Sequence, residues 1–300
     1  MSLLTLLFSK DRPLQLHATL TSFSLHCREA REIPIVVLYR ASSAAFSRAY
    51  GRLRQEFHDH LSITWVEESS FRHDLLASLR QPPADSRYRR YLDRLRLRSW
   101  RLRCQYLLFL VDDSIFVRPF SLGLVAEALD RESSAIGFSL RVGMNTTSCY
   151  SMRCLQPLPE FYPVDGGLRF RWTNEKGDFG YPLEVSSSVY RLSDIIGLLR
   201  TLPYANPNRL EQVLASSSSL FSIKYPDLLC FDRSVAFCAP INKVQTIFDN
   251  RAGDNQDYSS DALLERFVNG QRVDVEALRD FLPHAAHVEL DLPMTTVAEP

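Results

Sequence analysis

The segment from Tyr106 to Phe120, YLLFLVDDSIFVRPF, decides the fold. Its first six residues are apolar or aromatic, which predicts a short strand buried on both faces of a sheet. The strand stops at two adjacent carboxylates, Asp112 and Asp113, and apolar residues resume at Ile115. A core strand gains nothing from ending on two charges of the same sign. A site that holds a divalent cation needs such charges.

Apolar runs alternate with helical patterns over the first 140 residues of the chain. Buried strands are predicted at 3–8, 33–39, 61–69 and 105–111, with a further apolar run at 135–140. Helices are predicted between them, from Pro13, over 43–57, over 88–104 and from residue 121. Continuous apolar strands separated by helices predict an α/β fold, with a mostly parallel, Rossmann-type sheet flanked by helices.

The pattern changes in residues 141–189, where Gly, Pro, Asn and Ser are scattered and the chain reads as irregular. Such a long segment is typical of a binding or lid element. Helices are predicted after it at 193–202, capped by Ser193, at 206–216, capped by Asn206, and near 258–268 and 274–281. We therefore predict a single domain with two functional halves, residues 1–140 and residues 141–300.

Composition and charge exclude several classes of protein. The chain has 35 basic and 35 acidic residues, so no net field draws it to nucleic acid. No apolar run approaches the roughly 20 residues that span a bilayer, and the first residues lack the features of a signal peptide. The six cysteines form no CxxC pair, which favours reduced thiols. These observations predict a soluble, cytoplasmic protein.

Polar side chains also follow two other strands of the predicted sheet. Ser9, Asp11 and Arg12 come after the first strand, and Glu67 and Glu68 end the third. Ligands of open parallel sheets bind beyond the carboxyl ends of the strands. Three neighbouring strand ends with polar residues therefore predict a cleft large enough for a nucleotide.

This order of elements resembles the GT-A class of sugar-nucleotide-dependent glycosyltransferases, and in particular its family-2-like bacterial members. The segment LLFSKDRPLQLHATLTSF is similar to their opening strand, loop and first helix, and LFLVDDSIF is similar to their Asp-x-Asp segment. In that segment an acid binds Mg²⁺ or Mn²⁺ on the donor diphosphate. Val111 stands where the pattern has its first Asp, which leaves Asp113 as the expected metal ligand and Asp112 as its helper.

The resemblance implies transfer of a sugar from a nucleotide-diphosphate donor to a hydroxyl of a saccharide or lipid-linked acceptor, in polysaccharide or glycolipid synthesis. The residues after the first strand would line the nucleotide pocket, and Glu67 or Glu68 would lie near the base. The expected general base is Glu211, with Asp178 and Glu184 as rivals. His287 or His284 would complete the metal shell. Trp172, Phe179 and Tyr181 would either stack on a sugar or pack onto the core.

Several alternatives remain open at this stage. The eight arginines of residues 87–103 form either a solvated helix face or a peripheral contact with the anionic inner surface of a membrane. The chain is alternatively a non-catalytic module that binds sugars or nucleotides, in which Val111 marks lost chemistry. A nucleotidyltransferase ranks lower, because no Gly-rich loop follows the first strand. The sequence does not decide between inverting and retaining transfer.

Overall fold

A computed structural model of the chain describes residues 2–80, 102–242 and 256–296. The predicted arginine-rich helix over 87–103 falls outside these residues except for its last two positions. In the part of the chain that is described, no helix is both long enough and apolar enough to cross a bilayer.

The strands of the described residues are β1 (Leu3–Lys10), β2 (Ile35–Arg40), β3 (Ile63–Glu67), β4 (Tyr106–Val111), β5 (Ser114–Phe116), β6 (Ala135–Ser139), β7 (Ser148–Cys149), β8 (Cys154–Leu155), β9 (Tyr162–Val164), β10 (Gly167–Arg171), β11 (Ser188–Arg191), β12 (Asp227–Cys230), β13 (Ala236–Cys238), β14 (Gln271–Val273) and β15 (Met294–Thr296). The α-helices are α1 (Pro13–His26), α2 (Ala44–Glu56), α3 (Phe71–Ser78), α4 (Leu122–Arg131), α5 (Leu192–Thr201), α6 (Pro207–Ser216) and α7 (Ser260–Val268).

One nine-stranded sheet organises the described chain, in the order β3-β2-β1-β4-β11-β6-β12-β10-β9. The first four strands of this order, β3, β2, β1 and β4, are parallel to one another. Strand β12 is parallel to its neighbour β6. Only β11 and β10 run against the other seven strands of this sheet. The predicted α/β architecture with a mostly parallel sheet flanked by helices is therefore confirmed.

Apolar layers cover both faces of the sheet, and β4 shows how its sequence serves both. Tyr106, Leu108 and Leu110 belong to the layer that contains α1, α2, α4 and α7. Leu107 and Phe109 point to the opposite layer, which contains α3, α5 and α6. Burial of each such side chain stabilises the fold by about 1.5–3 kcal/mol. This two-sided burial explains why the strand reads as a continuous apolar run.

The predicted helix starts are correct at two positions and wrong at a third. Helix α1 begins at Pro13, and Asn206 caps α6 by accepting a hydrogen bond from the Arg209 N–H at 2.9 Å. Ser193 does not cap α5, because the helix already begins at Leu192 and its first turn includes Ser193. The helix predicted at 274–281 is shorter than expected, since only the 3₁₀ turn Glu276–Leu278 forms there.

The segment 141–189 is less irregular than its composition predicts. Strands β9 and β10 lie within it and extend the central sheet through antiparallel pairing of β10 with β12. Trp172 and Phe179 are buried in the core, and the Trp172 indole N–H donates to the Tyr225 carbonyl at 2.8 Å. These two aromatic side chains therefore pack this half of the chain onto the sheet.

Candidate active site

The carboxyl ends of β1, β4 and β6 meet at one edge of the sheet, since these strands point in the same direction. We call this edge the carboxyl edge. Arg12 follows β1, Asp112 and Asp113 follow β4, and Arg141 follows β6. Strand β11 is antiparallel, so it begins at the same edge, where Glu184 precedes it.

Arg12 holds the two adjacent acids of the carboxyl edge. Its Nη1 lies 3.0 Å from Asp112 Oδ1 and 3.2 Å from Asp113 Oδ2. Its Nη2 donates to the backbone carbonyl of Asn242. The guanidinium is buried, so these ion pairs are poorly screened by water. The repulsion between the carboxylates, which predicted a bound cation, is thus partly relieved by a cation that belongs to the chain.

The two acids differ in their freedom to bind a ligand. Asp112 is 4% exposed, and its Oδ2 also accepts a hydrogen bond from the Lys10 N–H at 3.3 Å. Burial raises the pKa of Asp112, and Arg12 acts in the opposite direction. The Asp113 side chain is 16% exposed, and no contact among the described residues reaches its Oδ1. Asp113 is therefore the acid that offers an oxygen to a ligand.

The other predicted nucleotide-binding residues after β1 have partners within the protein. The Ser9 hydroxyl lies 2.8 Å from the Tyr50 hydroxyl. Asp11 has a left-handed backbone with φ of 53°, and its Oδ1 accepts a hydrogen bond from the Ser42 N–H at 2.7 Å. These contacts shape the loop that carries Arg12. A direct role of Ser9 or Asp11 in nucleotide binding stays a prediction.

The predicted acids of the third strand lie at the end of β3, the first strand of the sheet order, where Glu67 is the last strand residue and Glu68 follows it. Glu67 is exposed, and Glu68 is half-buried with its Oε1 3.8 Å from Arg40 Nη1. Burial raises the pKa of Glu68, and Arg40 acts in the opposite direction. Their placement near a nucleotide base stays a prediction.

A second charged cluster surrounds Arg141, a residue that our sequence analysis missed. Its side chain is buried, with Nη2 3.3 Å from Glu184 Oε2 and Nη1 3.2 Å from His287 Nε2. Its charge also acts on Glu211 and Asp178. All three predicted bases therefore gather around one cation. Arg141 directly follows the apolar run 135–140, so it is also a polar residue at the end of a predicted strand. That position was the signal in the sequence that could have identified it.

Glu184, which the sequence predicts as a rival base, has a structural role in the turn that precedes β11. Its carboxylate accepts hydrogen bonds from the backbone N–H groups of Ser186 and Ser187 and from the Ser188 hydroxyl. Arg141 adds an ion pair, and the residue is only 3% exposed. Both oxygens of this carboxylate are engaged within the protein, and a role of Glu184 as a base stays a prediction.

Replacing Glu184 with Gln is expected to destabilise the fold by about 3–5 kcal/mol, because Arg141 is left as a buried cation without its partner. The amide would also direct its N–H₂ group at backbone donors that need an acceptor. Urea denaturation measures the loss. Glu32→Gln, at an exposed position, is the matched control and should leave the midpoint unchanged. Equal midpoints for the two variants would contradict this role.

Glu211, the expected general base, is a carboxylate that titrates near neutral pH. It lies in the second turn of α6, where burial raises its pKa to about 7 although Arg141 acts in the opposite direction. The Tyr181 hydroxyl donates a hydrogen bond to it, and the charge of Asp113 raises its pKa further. A carboxylate that titrates near neutral pH is well matched to proton abstraction. The same interactions place Glu211 within electrostatic range of both clusters.

Asp178 is less available than Glu211. Its Oδ2 accepts a hydrogen bond from Gln156 Nε2 at 3.2 Å, and its Oδ1 lies 3.8 Å from Cys149 Sγ. Burial raises the pKa of Asp178, while Arg141 acts against this. Asp178 stays an alternative base, with fewer free lone pairs than Glu211.

The predicted metal shell of Asp113, Asp112 and His287 is not assembled. His287 accepts a hydrogen bond from Arg141, and burial together with this neighbouring charge lowers its pKa to about 3. Within the described ranges, no three His, Cys, Asp or Glu side chains come together as a group that could hold a metal ion. His287 lies in the Arg141 cluster, and its assignment as a third metal ligand stays a prediction.

Comparison with curated proteins connects the chain to glycosyltransferases. No protein-family model matches it. It is 23% identical over 275 residues to the bifunctional glycosyltransferase pgtA of Dictyostelium discoideum, an alignment that covers 81% of this chain and 32% of that protein. The chain thus spans about a third of the length of this relative. The resemblance to glycosyltransferases that we inferred from the sequence is confirmed.

Two solved structures are similar to this chain at 12% sequence identity. Staphylococcus aureus TarS 1–349 in complex with UDP-GlcNAc has a TM-score of 0.47 and 12% identity, over 90% of this chain and 72% of that one. The mannosyltransferase PcManGT of Pyrobaculum calidifontis, in complex with GDP-Man and Mn²⁺, has a TM-score of 0.38 and 12% identity, over 77% and 54% of the two chains.

Proposed function

We propose that this chain transfers a sugar from a nucleotide-diphosphate donor to a hydroxyl group of an acceptor. One observation supports this most strongly. At the carboxyl edge, Asp113 offers an oxygen to a ligand within electrostatic range of Glu211, a carboxylate whose pKa is about 7. Inverting sugar transfer requires these two functions side by side, one at the leaving diphosphate and one at the attacking hydroxyl.

The donor diphosphate is assigned to the carboxyl edge beyond β1 and β4. Arg12 fixes the directions of both carboxylates there, and Asp112 is held further by the Lys10 N–H. When both acids are ionised, the side chains of Arg12, Asp112 and Asp113 together carry one net negative charge. The edge therefore still favours a cation. Arg12 therefore acts as a positioning residue for Asp113.

The residues of the edge fit a divalent cation that is shared with the substrate. Mg²⁺ and Mn²⁺ are commonly held by one or two carboxylates, and substrate phosphates and water complete the coordination. Asp113 would be the protein ligand, through the oxygen that Arg12 does not engage. When bound, such an ion neutralises the charge that develops on the departing diphosphate. The expected cofactor is Mn²⁺ or Mg²⁺.

We expect Mn²⁺ alone to leave the melting temperature of the protein unchanged, and Mn²⁺ with UDP or GDP to raise it. The reason is that a single free carboxylate oxygen binds the ion weakly until the diphosphate adds its own oxygens. Thermal-shift titrations in the four combinations of metal and nucleotide measure this. A full shift by Mn²⁺ without nucleotide would show a resident metal site instead.

Glu211 is assigned as the general base. Its carboxylate accepts the proton of the acceptor hydroxyl as the hydroxyl oxygen forms its bond to the anomeric carbon. The bond from that carbon to the diphosphate oxygen breaks, and the nucleoside diphosphate leaves with the electron pair. Tyr181 holds the Glu211 carboxylate, and Arg141 balances its charge. A base in this role implies inversion at the anomeric carbon, whereas a retaining reaction would not require it.

The pH dependence of the reaction follows from the ionisation of Glu211. The base is active when it is deprotonated, and its pKa is about 7. We therefore expect kcat/KM to rise about tenfold per pH unit below 7 and to level off above it. Initial rates between pH 5.5 and 9 measure the profile. A profile that is flat between pH 6 and 8 would exclude a base with this pKa.

The sugar-nucleotide screen that tests the proposed function has two readouts. UDP- and GDP-sugars are first tested for a rise in melting temperature with Mn²⁺, and each binder is then assayed for release of the nucleoside diphosphate. Binding together with release supports the transferase. Binding without release toward any acceptor favours the non-catalytic module. The same proposal includes a saccharide or lipid-linked acceptor and a role in polysaccharide or glycolipid synthesis. It also includes a cytoplasmic location.

A further inference from the structure

A groove of about 450 Å³ lies between the β7–β8 hairpin and residues 284–289. We call it the hairpin groove. Its volume lies within the range of roughly 300–1,000 Å³ that is usual for small-molecule sites. The side chains of Tyr150, Arg153, His284, His287 and Glu289 bring aromatic rings, donors and acceptors to its walls.

Backbone hydrogen bonds hold both walls of the groove in place. The N–H groups of Thr147 and Ser148 donate to the His284 carbonyl at 2.9 and 3.0 Å, which fixes the base of the hairpin. On the opposite wall, Cys238 of β13 bonds to the Ala286 carbonyl and to the Val288 N–H at 2.9 and 3.0 Å. The groove is therefore preformed, which lowers the entropy that a ligand must lose on binding.

His287 connects the hairpin groove to the Arg141 cluster. Arginine only donates hydrogen bonds, so His287 Nε2 accepts from Arg141 and the imidazole proton resides on Nδ1. The low pKa of His287, about 3, keeps the ring neutral at physiological pH. Arg141 in turn acts on Glu211, the assigned base. Two side chains, His287 and Arg141, therefore connect a ligand in the groove to Glu211.

The chemistry of the walls selects a saccharide. The ring of Tyr150 lies 5.9 Å from that of His287 at an interplanar angle of 34°, and together they form an aromatic wall. The apolar C–H face of a pyranose packs on such rings. Its hydroxyls then need both donors and acceptors. Arg153 and His284 supply donors at the groove, and Glu289, which bonds the Tyr150 hydroxyl, supplies an acceptor.

We propose that the hairpin groove is a saccharide-binding site, with Tyr150 and His287 as its aromatic wall, and that it holds a sugar unit of the acceptor other than the unit whose hydroxyl reacts at Glu211. Only the second part of this statement rests on the proposed function. The groove is linked to Glu211 through His287 and Arg141, whereas Asp113 acts on Glu211 from the carboxyl edge.

Saturation-transfer NMR with methyl glycosides of glucose, galactose, mannose, xylose and N-acetylglucosamine tests the groove. At least one glycoside is expected to bind the wild-type chain, and Tyr150→Ala is expected to weaken it about tenfold through loss of the ring contact. Tyr150→Phe keeps the ring and should retain binding. Tyr162→Ala removes an exposed tyrosine of β9 outside the groove and serves as the control. Thermal melting verifies that each variant is folded.

Two results would overturn the proposal: no binding of any of the five glycosides, or equal binding by wild type and folded Tyr150→Ala. Its failure is distinguishable from failure of the proposed function, because UDP and GDP titrations report on the carboxyl edge alone. Glycoside binding without nucleotide binding would leave the groove as a saccharide site and remove the transferase. Nucleotide binding without glycoside binding would keep the nucleotide site at the carboxyl edge and remove the groove as a saccharide site.

Discussion

Glu211→Gln is expected to lower turnover by about 10²–10⁴, the usual contribution of a positioned general base. The amide keeps the size of the side chain and can still accept a hydrogen bond from Tyr181, but it does not take up a proton. Because the proposed role of Glu211 is at the acceptor hydroxyl and not at the donor, affinity for the nucleotide sugar should stay unchanged. Steady-state kinetics give the turnover, and a donor titration gives the affinity.

The matched control for this substitution is Glu265→Gln, an exposed glutamate on helix α7. It should keep full activity. If Glu211→Gln also keeps its turnover, the base moves to Asp178, and Asp178→Asn becomes the decisive variant. A loss of donor affinity equal to the loss of turnover would contradict the assignment in another way, because it would place Glu211 in the donor site.

Asp113→Asn is expected to lower activity by about 10² or more, since it removes several kcal/mol of charge stabilisation at the departing diphosphate. Stability should change little, because the side chain is partly exposed and Arg12 keeps Asp112 as its partner. Asparagine retains a carbonyl oxygen of similar position but lacks the negative charge that a divalent cation requires. Nucleotide release assays at saturating Mn²⁺ measure the effect.

Asp112→Asn is the informative comparison, because its neighbour in sequence has a different role. This residue is buried, so the change breaks a buried ion pair and should destabilise the protein by about 3–5 kcal/mol in urea denaturation. The two variants are thus expected to separate, with loss of activity in one and loss of stability in the other. An active Asp113→Asn enzyme would remove Asp113 from the site.

The fold was predictable where one strand carries enough information by itself. The run 106–111 is apolar at every position, and β4 is indeed buried on both faces. Strands β9 to β12 were not predicted. They are short and carry charged or turn-forming residues, and they are stabilised by pairing with distant partners such as β12 with β6. Pairing of that kind depends on tertiary contacts that local periodicity does not report.

The site was predictable to the extent that strand ends predict it. The position of Asp112 and Asp113 beyond β4 followed from the sequence, and so did the Asn206 cap that starts the helix of Glu211. The pairing of Arg12 with both acids did not, because it joins residues about 100 positions apart. The hydrogen bonds that the Glu184 carboxylate accepts from the three following serines were not predictable either, because they depend on a turn geometry that composition alone does not reveal.

The proposed transferase requires that the carboxyl edge bind a nucleoside diphosphate through Asp113. Isothermal titration of UDP and of GDP into the wild-type chain and into Asp113→Asn, each with and without Mn²⁺, tests it directly. We predict binding of at least one diphosphate to the wild type that strengthens with Mn²⁺ and is lost in the variant. Absence of binding under all conditions, or equal binding by the two proteins, would contradict the assignment of Asp113 to a diphosphate site at the carboxyl edge.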